Sequence, residues 1–246
     1  MIPVPDVPAP WLGSLVWLVV LAAVSFLVTW VCSDKVGLRR TPYIAVLAAT
    51  TGALGVGYVG WLGLGIADVL LTRWALGLLV APVVGAFLTV GIRRLPAAER
   101  LHGRRLAVVL VWEGVVYGVA EGLLLSTLPV LMTWQMIHSL DWSGTGGAVA
   151  RWTLPVVASI AVIVVHHLGY WEYRNRMLRP IAVGCGLMSV GYLVTGSPLT
   201  PMVAHVISHV SAIQRGVELP PHEHGAPPET YGLRVVVHDG TVTGRR

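Results

Sequence analysis

The sequence predicts an all-α, polytopic transmembrane helical bundle of about seven helices, with the N-terminus out and the C-terminus in. Three observations carry this. The 246 residues are 55% hydrophobic and only 12% charged, with a mean hydropathy of +0.73, well away from an ordinary soluble domain. Apolar runs of about 20 residues recur along the chain, enough to cross a hydrocarbon core of about 30 Å as helices. Lys and Arg fall almost wholly on one side once these runs are threaded through a bilayer.

The first run, about 11–32, follows a lead-in with Pro3, Pro5, Pro8 and Pro10 that lacks Lys and Arg. A secretory leader normally opens with positive charge, so this run is read as a retained helix. The others cover about 42–64, 74–92, 106–133, 149–168, 178–195 and 199–213. The second run carries Gly52, Gly55, Gly57, Gly60 and Gly63, which predicts close helix packing there. Lys35, Arg39 and Arg40 follow the first run, Arg93, Arg94, Arg100, Arg104 and Arg105 the third, and Arg174, Arg176 and Arg179 the fifth. With Arg215, Arg234, Arg245 and Arg246, that side holds all of the 17 basic residues except Arg73 and Arg151. It is therefore the cytoplasmic side of an integral, multi-pass protein, expected in the cell membrane. Trp11, Trp30, Trp61, Trp74, Trp134 and Trp152 lie near the proposed span ends, where indoles prefer the interface.

Residues 1–213 form one membrane domain in this reading, and 214–246 a weakly ordered cytoplasmic tail. Pro220, Pro221, Pro227 and Pro228 break any helix there, and His222-Glu223-His224 reads as a solvated loop, not a metal site. Residues 233–242 with Asp239-Gly240 suit a small hairpin. The net charge of +5 is spread over short clusters, so the partner it implies is the lipid bilayer and not a nucleic acid. Cys32 and Cys185 both fall in or at the end of apolar runs and offer no disulfide framework.

The informative residues are ionisable ones inside apolar runs: Glu113 and Glu121 in the fourth, His166 and His167 in the fifth, His205 and His209 in the seventh. A charged group near the bilayer centre costs about 2.5–3.5 kcal/mol on insertion scales, so such residues face the bundle interior and one another. His205 and His209 share a helix face, and Glu113, Tyr117 and Glu121 form a stripe at similar spacing. A lone Glu or His often only bridges to a neighbouring helix. Three spans each supplying ionisable groups point instead to a shared site of Glu121, His167 and His205. At 1.5 Å per residue Glu121 lies about 22 Å from the cytoplasmic start of its run and His205 about 9 Å from the outer start of its own, close to one level. The same ruler sets His167 nearer Glu113, which makes Glu113 a rival base.

These residues resemble a family. Gly118-Val-Ala-Glu121-Gly-Leu-Leu-Leu-Ser126 looks like a degraded Glu-Glu-x-x-x-Arg motif of the CAAX-protease and bacteriocin-processing (CPBP, Abi-like) intramembrane proteases. Ile163-Val-Val-His166-His167 is similar to that family's Phe-x-x-x-His motif, and the segment ending Pro201-Met202-Val203-Ala204-His205 resembles the start of its His-x-x-x-Asn motif. The likeness covers about residues 106–213, with Gly122, Ser126, Ile163 and His209 standing where the family has Glu, Arg, Phe and Asn. It implies an intramembrane endopeptidase that cuts a membrane-associated, prenylated or leader peptide, with Glu121, His167 and His205 around the attacking water and His209 orienting substrate. A Glu in an apolar pocket is a better base near neutral pH, and imidazoles orient water or polarise a carbonyl. His167, His205 and His209 with Glu121 as base also make a workable zinc set. Two other classes remain open at this point: an inactive CPBP-like binding or scaffold protein, and a small transporter or proton relay.

Overall fold

The computed structural model describes residues 2–5, 9–94, 101–174 and 178–216. The His222-Glu223-His224 tract, the hairpin expected at 233–242 and the tail beyond 216 lie outside the described residues. Residues 214–216, assigned to that tail by sequence, end the last helix instead.

The described residues form eight helices and no strand: α1 (Trp11–Lys35), α2 (Arg40–Trp61), the short α3 (Ile66–Leu71), α4 (Trp74–Arg93), α5 (Gly103–Ser139), α6 (Gly144–Leu168), α7 (Leu178–Thr195) and α8 (Leu199–Arg215). All but α3 correspond to the seven apolar runs. Six of them, α1, α2 and α4 to α7, are long and apolar enough to cross a membrane, which makes this a multi-pass membrane protein. The seventh expected span, α8, is shorter. Its 17 residues reach about 25 Å, and it carries two His and two Ser, so it is a core helix wrapped by the others. Large apolar side chains such as Val19, Leu79, Val83, Phe87 and Val183 remain exposed around the outside, as a lipid-facing surface requires. Trp11, Trp61 and Trp74 stand exposed at helix ends.

Small residues decide how α8 sits. On α5, Gly114, Gly118 and Gly122 recur every four residues and so line one face. A Cβ on Gly118 would stand 2.8 Å from the Val206 Cα, and one on Gly122 2.6 Å from the Met202 Cα. Met202, Val206 and Val210 are the matching stripe of α8, so the two backbones are in direct contact. On the other flank of α8, Gly85 of α4 takes Ile207 against its bare Cα, and Thr89 and Ser211 share a hydrogen bond of 3.0 Å. Of the α2 glycines, for which close packing is expected, Gly57 alone is tightly packed, a Cβ there standing 3.0 Å from the Trp17 ring of α1. Gly52 and Gly60 face open space and Gly55 makes only ordinary contact with Leu123 and Leu128. Spacing explains the difference: the tight glycines fall four residues apart on one stripe, and those of α2 scatter around the helix.

Helix α5 is not uniformly α-helical. Two wide, π-type segments, Leu110–Val116 and Gly122–Thr127, bracket the α-helical turn Tyr117–Glu121. Widened turns inside helices recur at functional sites. Their carbonyls still find donors: the Thr127 hydroxyl donates to the Gly122 carbonyl at 3.1 Å and the Ser159 hydroxyl to the Leu125 carbonyl at 2.6 Å. In lipid such backbone groups have no water to turn to.

Candidate functional site

Glu121 sits on the turn between the two wide segments, buried at 6% exposure. His209 Nε2 donates to its Oε2 at 2.7 Å, the short distance of a charge-assisted hydrogen bond. His205, one turn earlier on α8, joins them: one donor atom from each of Glu121, His205 and His209 lies within 4.8 Å of the others. The clamp described above aims this pair. With Met202, Val206 and Val210 committed to α5 and Ile207 and Ser211 to α4, the remaining face of α8 carries His205 and His209 toward the carboxylate.

The fifth apolar run contributes differently from expectation. His167, in the motif position, donates from Nδ1 to the Ile163 carbonyl of its own helix at 2.9 Å and packs its ring edge-on against Tyr173. Its neighbour His166 turns to the carboxylate, with Nε2 3.8 Å from Glu121 Oε1. Adjacent helical residues point about 100° apart, and although both rings are buried, of the two it is His166 that comes within 4 Å of the carboxylate. The structure therefore brings together three of the four residues expected in the site, Glu121, His205 and His209, and sets His166 beside them in place of His167. The level inferred for α6 from an ideal ruler was too close to Glu113. The wide segment 110–116, on which Glu113 itself lies, departs from the constant 1.5 Å rise that the ruler assumes.

Glu113 has another partner. Arg40, at the start of α2, approaches it with Nε 2.6 Å from Oε2, and both side chains are partly exposed. That ion pair takes the rival base out of the histidine cluster. Tyr117, midway on the same stripe, touches both regions: Arg40 lies over its ring at 5.5 Å, and the His209 ring packs against it with centroids 4.8 Å apart.

Three tyrosine hydroxyls meet beside the cluster. Tyr170 hydrogen-bonds to Tyr117 at 3.1 Å and, on its other side, to Tyr43. All three are buried, and the Tyr170 ring lies edge-on to His166 at 5.5 Å. Cys185 of α7 closes the far side with Sγ 3.8 Å from His205 Nε2. Sequence reading missed Arg40, Tyr43, Tyr170 and Cys185. The only signal was their polarity within or beside apolar runs, with nothing to say that these three separate segments would converge.

Gly122, where the family has its second Glu, is held against the Met202 backbone and the Pro201 carbonyl, so no side chain fits. Ser126, at the family's Arg position, is fully buried on the second wide segment. Chemically, the arrangement offers a buried carboxylate able to take a proton, with three imidazoles able to donate, accept or ligate. Comparison of the chain with protein-family models, with curated proteins and with solved structures gives no match.

Proposed function

We propose that this chain is an intramembrane endopeptidase of the CPBP type, resident in the cell membrane, that hydrolyses a peptide bond of a membrane-associated, prenylated or leader-peptide substrate. The observation that carries the reading is the Glu121–His209 hydrogen bond of 2.7 Å, with His205 alongside, in the interior of a membrane protein. An ionisable cluster at that depth is costly and marks function by default. Glu121 is the base that takes a proton from water, His209 holds the carboxylate in place, and His205 orients the water or polarises the scissile carbonyl. His166, on the opposite carboxylate oxygen, replaces His167 in supporting the base.

One observation favours a second reading, an inactive relative that binds a membrane peptide without cutting it. The contact at Gly122 leaves no room for the motif's second Glu, and Ser126 supplies no positive charge. Incubating detergent-purified wild type and Glu121→Gln with a mixed membrane-peptide library, read by mass spectrometry, separates the two. The expected result is a set of fragments made by wild type and lost in the variant. Intact peptides with folded wild type, together with saturable peptide retention, would establish the binding protein.

A further inference from the structure

The hydrolytic reading needs one carboxylate and two imidazoles, and the cluster holds more than that. At least one nitrogen on each of three imidazoles has no hydrogen-bond partner among the described residues: Nε2 of His166, Nδ1 of His205 and Nδ1 of His209. These residues are 0%, 5% and 8% exposed. Buried polar atoms are nearly always paired, so this many orphans around one carboxylate call for a further occupant of the site.

We propose that Glu121, His205 and His209, with His166 as the fourth donor, hold a zinc-class divalent cation. His205 and His209 come from successive turns of one face, a spacing that suits two ligands on one ion. Glu121 lies across from them on α5, and donor atoms of these three residues are already within 4.8 Å of one another. Around a four-coordinate ion with bonds of about 2.1 Å, donors stand about 3.4 Å apart, so the cluster needs only side-chain contraction. His166 Nε2, 3.8 Å from Glu121 Oε1 and otherwise unpartnered, approaches from α6. Three helices thus supply the donors, and the backbone contacts at Gly118 and Gly122 hold α5 and α8 in register.

The donor types select the ion. Imidazole with one carboxylate suits zinc, cobalt, nickel or copper, whereas magnesium and calcium want six or more oxygens, of which the cluster offers two. Cys185 Sγ touches the His205 ring, not the carboxylate, and stays outside the ligand set. Two of the four donors, His166 and His209, are side chains that the family resemblance does not supply. The proposal concerns the same site as the hydrolytic reading, and with an ion bound Glu121 is a ligand and not the free base of that reading, so the two are tested separately.

The test uses the full chain, purified in detergent after growth with added zinc, with metal measured by mass spectrometry and the ion-free protein titrated with Zn²⁺ and Co²⁺. Wild type is expected to hold one ion per chain and to develop the strong visible absorption of tetrahedral Co²⁺, without the near-ultraviolet thiolate band that Cys185 ligation would add. His209→Gln keeps size and a donor to Glu121, so it guards against loss of fold; it and His205→Ala should retain less than about a tenth of an ion. His166→Ala should weaken binding at least about tenfold, and His167→Ala should keep the wild-type stoichiometry. Folded wild type with neither bound metal nor a Co²⁺ spectrum would overturn the proposal, as would loss of the ion in His167→Ala but not in His166→Ala. Bound metal with no peptide cut leaves the proposal standing and ends the peptidase reading.

Discussion

Two glutamates eight residues apart on α5 meet opposite fates. Glu113 lies on the first wide segment, partly exposed, and its carboxylate is neutralised by Arg40. Glu121 lies about two turns further along, buried, and its hydrogen-bond and ion-pair partners among the described residues are imidazoles. The residue type is the same and the helix is the same; what differs is the neighbouring helix. Around Glu113 the start of α2 supplies a permanent cation, whereas around Glu121 the glycine stripe of α5 lets α8 close in and present two histidines. A guanidinium neutralises a carboxylate at every accessible pH, and an imidazole can give or take the proton. Function in a membrane helix therefore depends less on where an acid falls in the sequence than on which helix is allowed to touch it.

The sharpest way to break this contrast is to push α8 away. Gly122→Glu drives a side chain into the Met202 backbone, and is expected to destabilise the protein by about 3 kcal/mol or more, read as a lowered melting temperature in detergent. If Gly122→Glu folded as well as wild type, the backbone contact would not be what places His205 and His209. Glu113→Gln should cost about 1 kcal/mol, because the ion pair is partly exposed, and should add to the effect of Glu121→Gln within about 0.5 kcal/mol. A large coupling between the two would mean that the regions are one network. Tyr117→Phe removes a hydroxyl bonded to Tyr170 and should cost about 1 kcal/mol while leaving both ring contacts in place. The smallest change is expected at Gly52→Ala, where the Cβ enters open space and the helix gains about 0.5–1 kcal/mol, visible as a small rise in melting temperature.

Much of this was legible beforehand. Apolar length and the distribution of Lys and Arg predict seven membrane helices; all seven runs are helical, but only six are long and apolar enough to cross a membrane, α8 being short and wrapped by its neighbours. The spacing of His205 and His209 predicts one face, and the structure turns that face to Glu121. The choice between His166 and His167 was not legible, since neighbours on a helix differ by about 100° and only the packing of α6 decides which reaches the carboxylate. Nor was the fate of Glu113, because Arg40 reads as a loop cation until α2 begins at that residue. Glycine number pointed to α2, and glycine spacing to α5. In a dry bundle spacing is the stronger signal, since only a stripe brings two backbones together.

The most direct test of Glu121 as the reactive group is the cleavage rate of one identified peptide by Glu121→Gln and Glu113→Gln, with helical content and melting temperature measured on the same preparations. Glu121→Gln is expected to lower the rate by about 10²–10⁴-fold with its fold intact, and Glu113→Gln to stay within a few-fold of wild type. Equal losses in both variants, or a Glu121→Gln protein that still cuts at the wild-type rate, would contradict it.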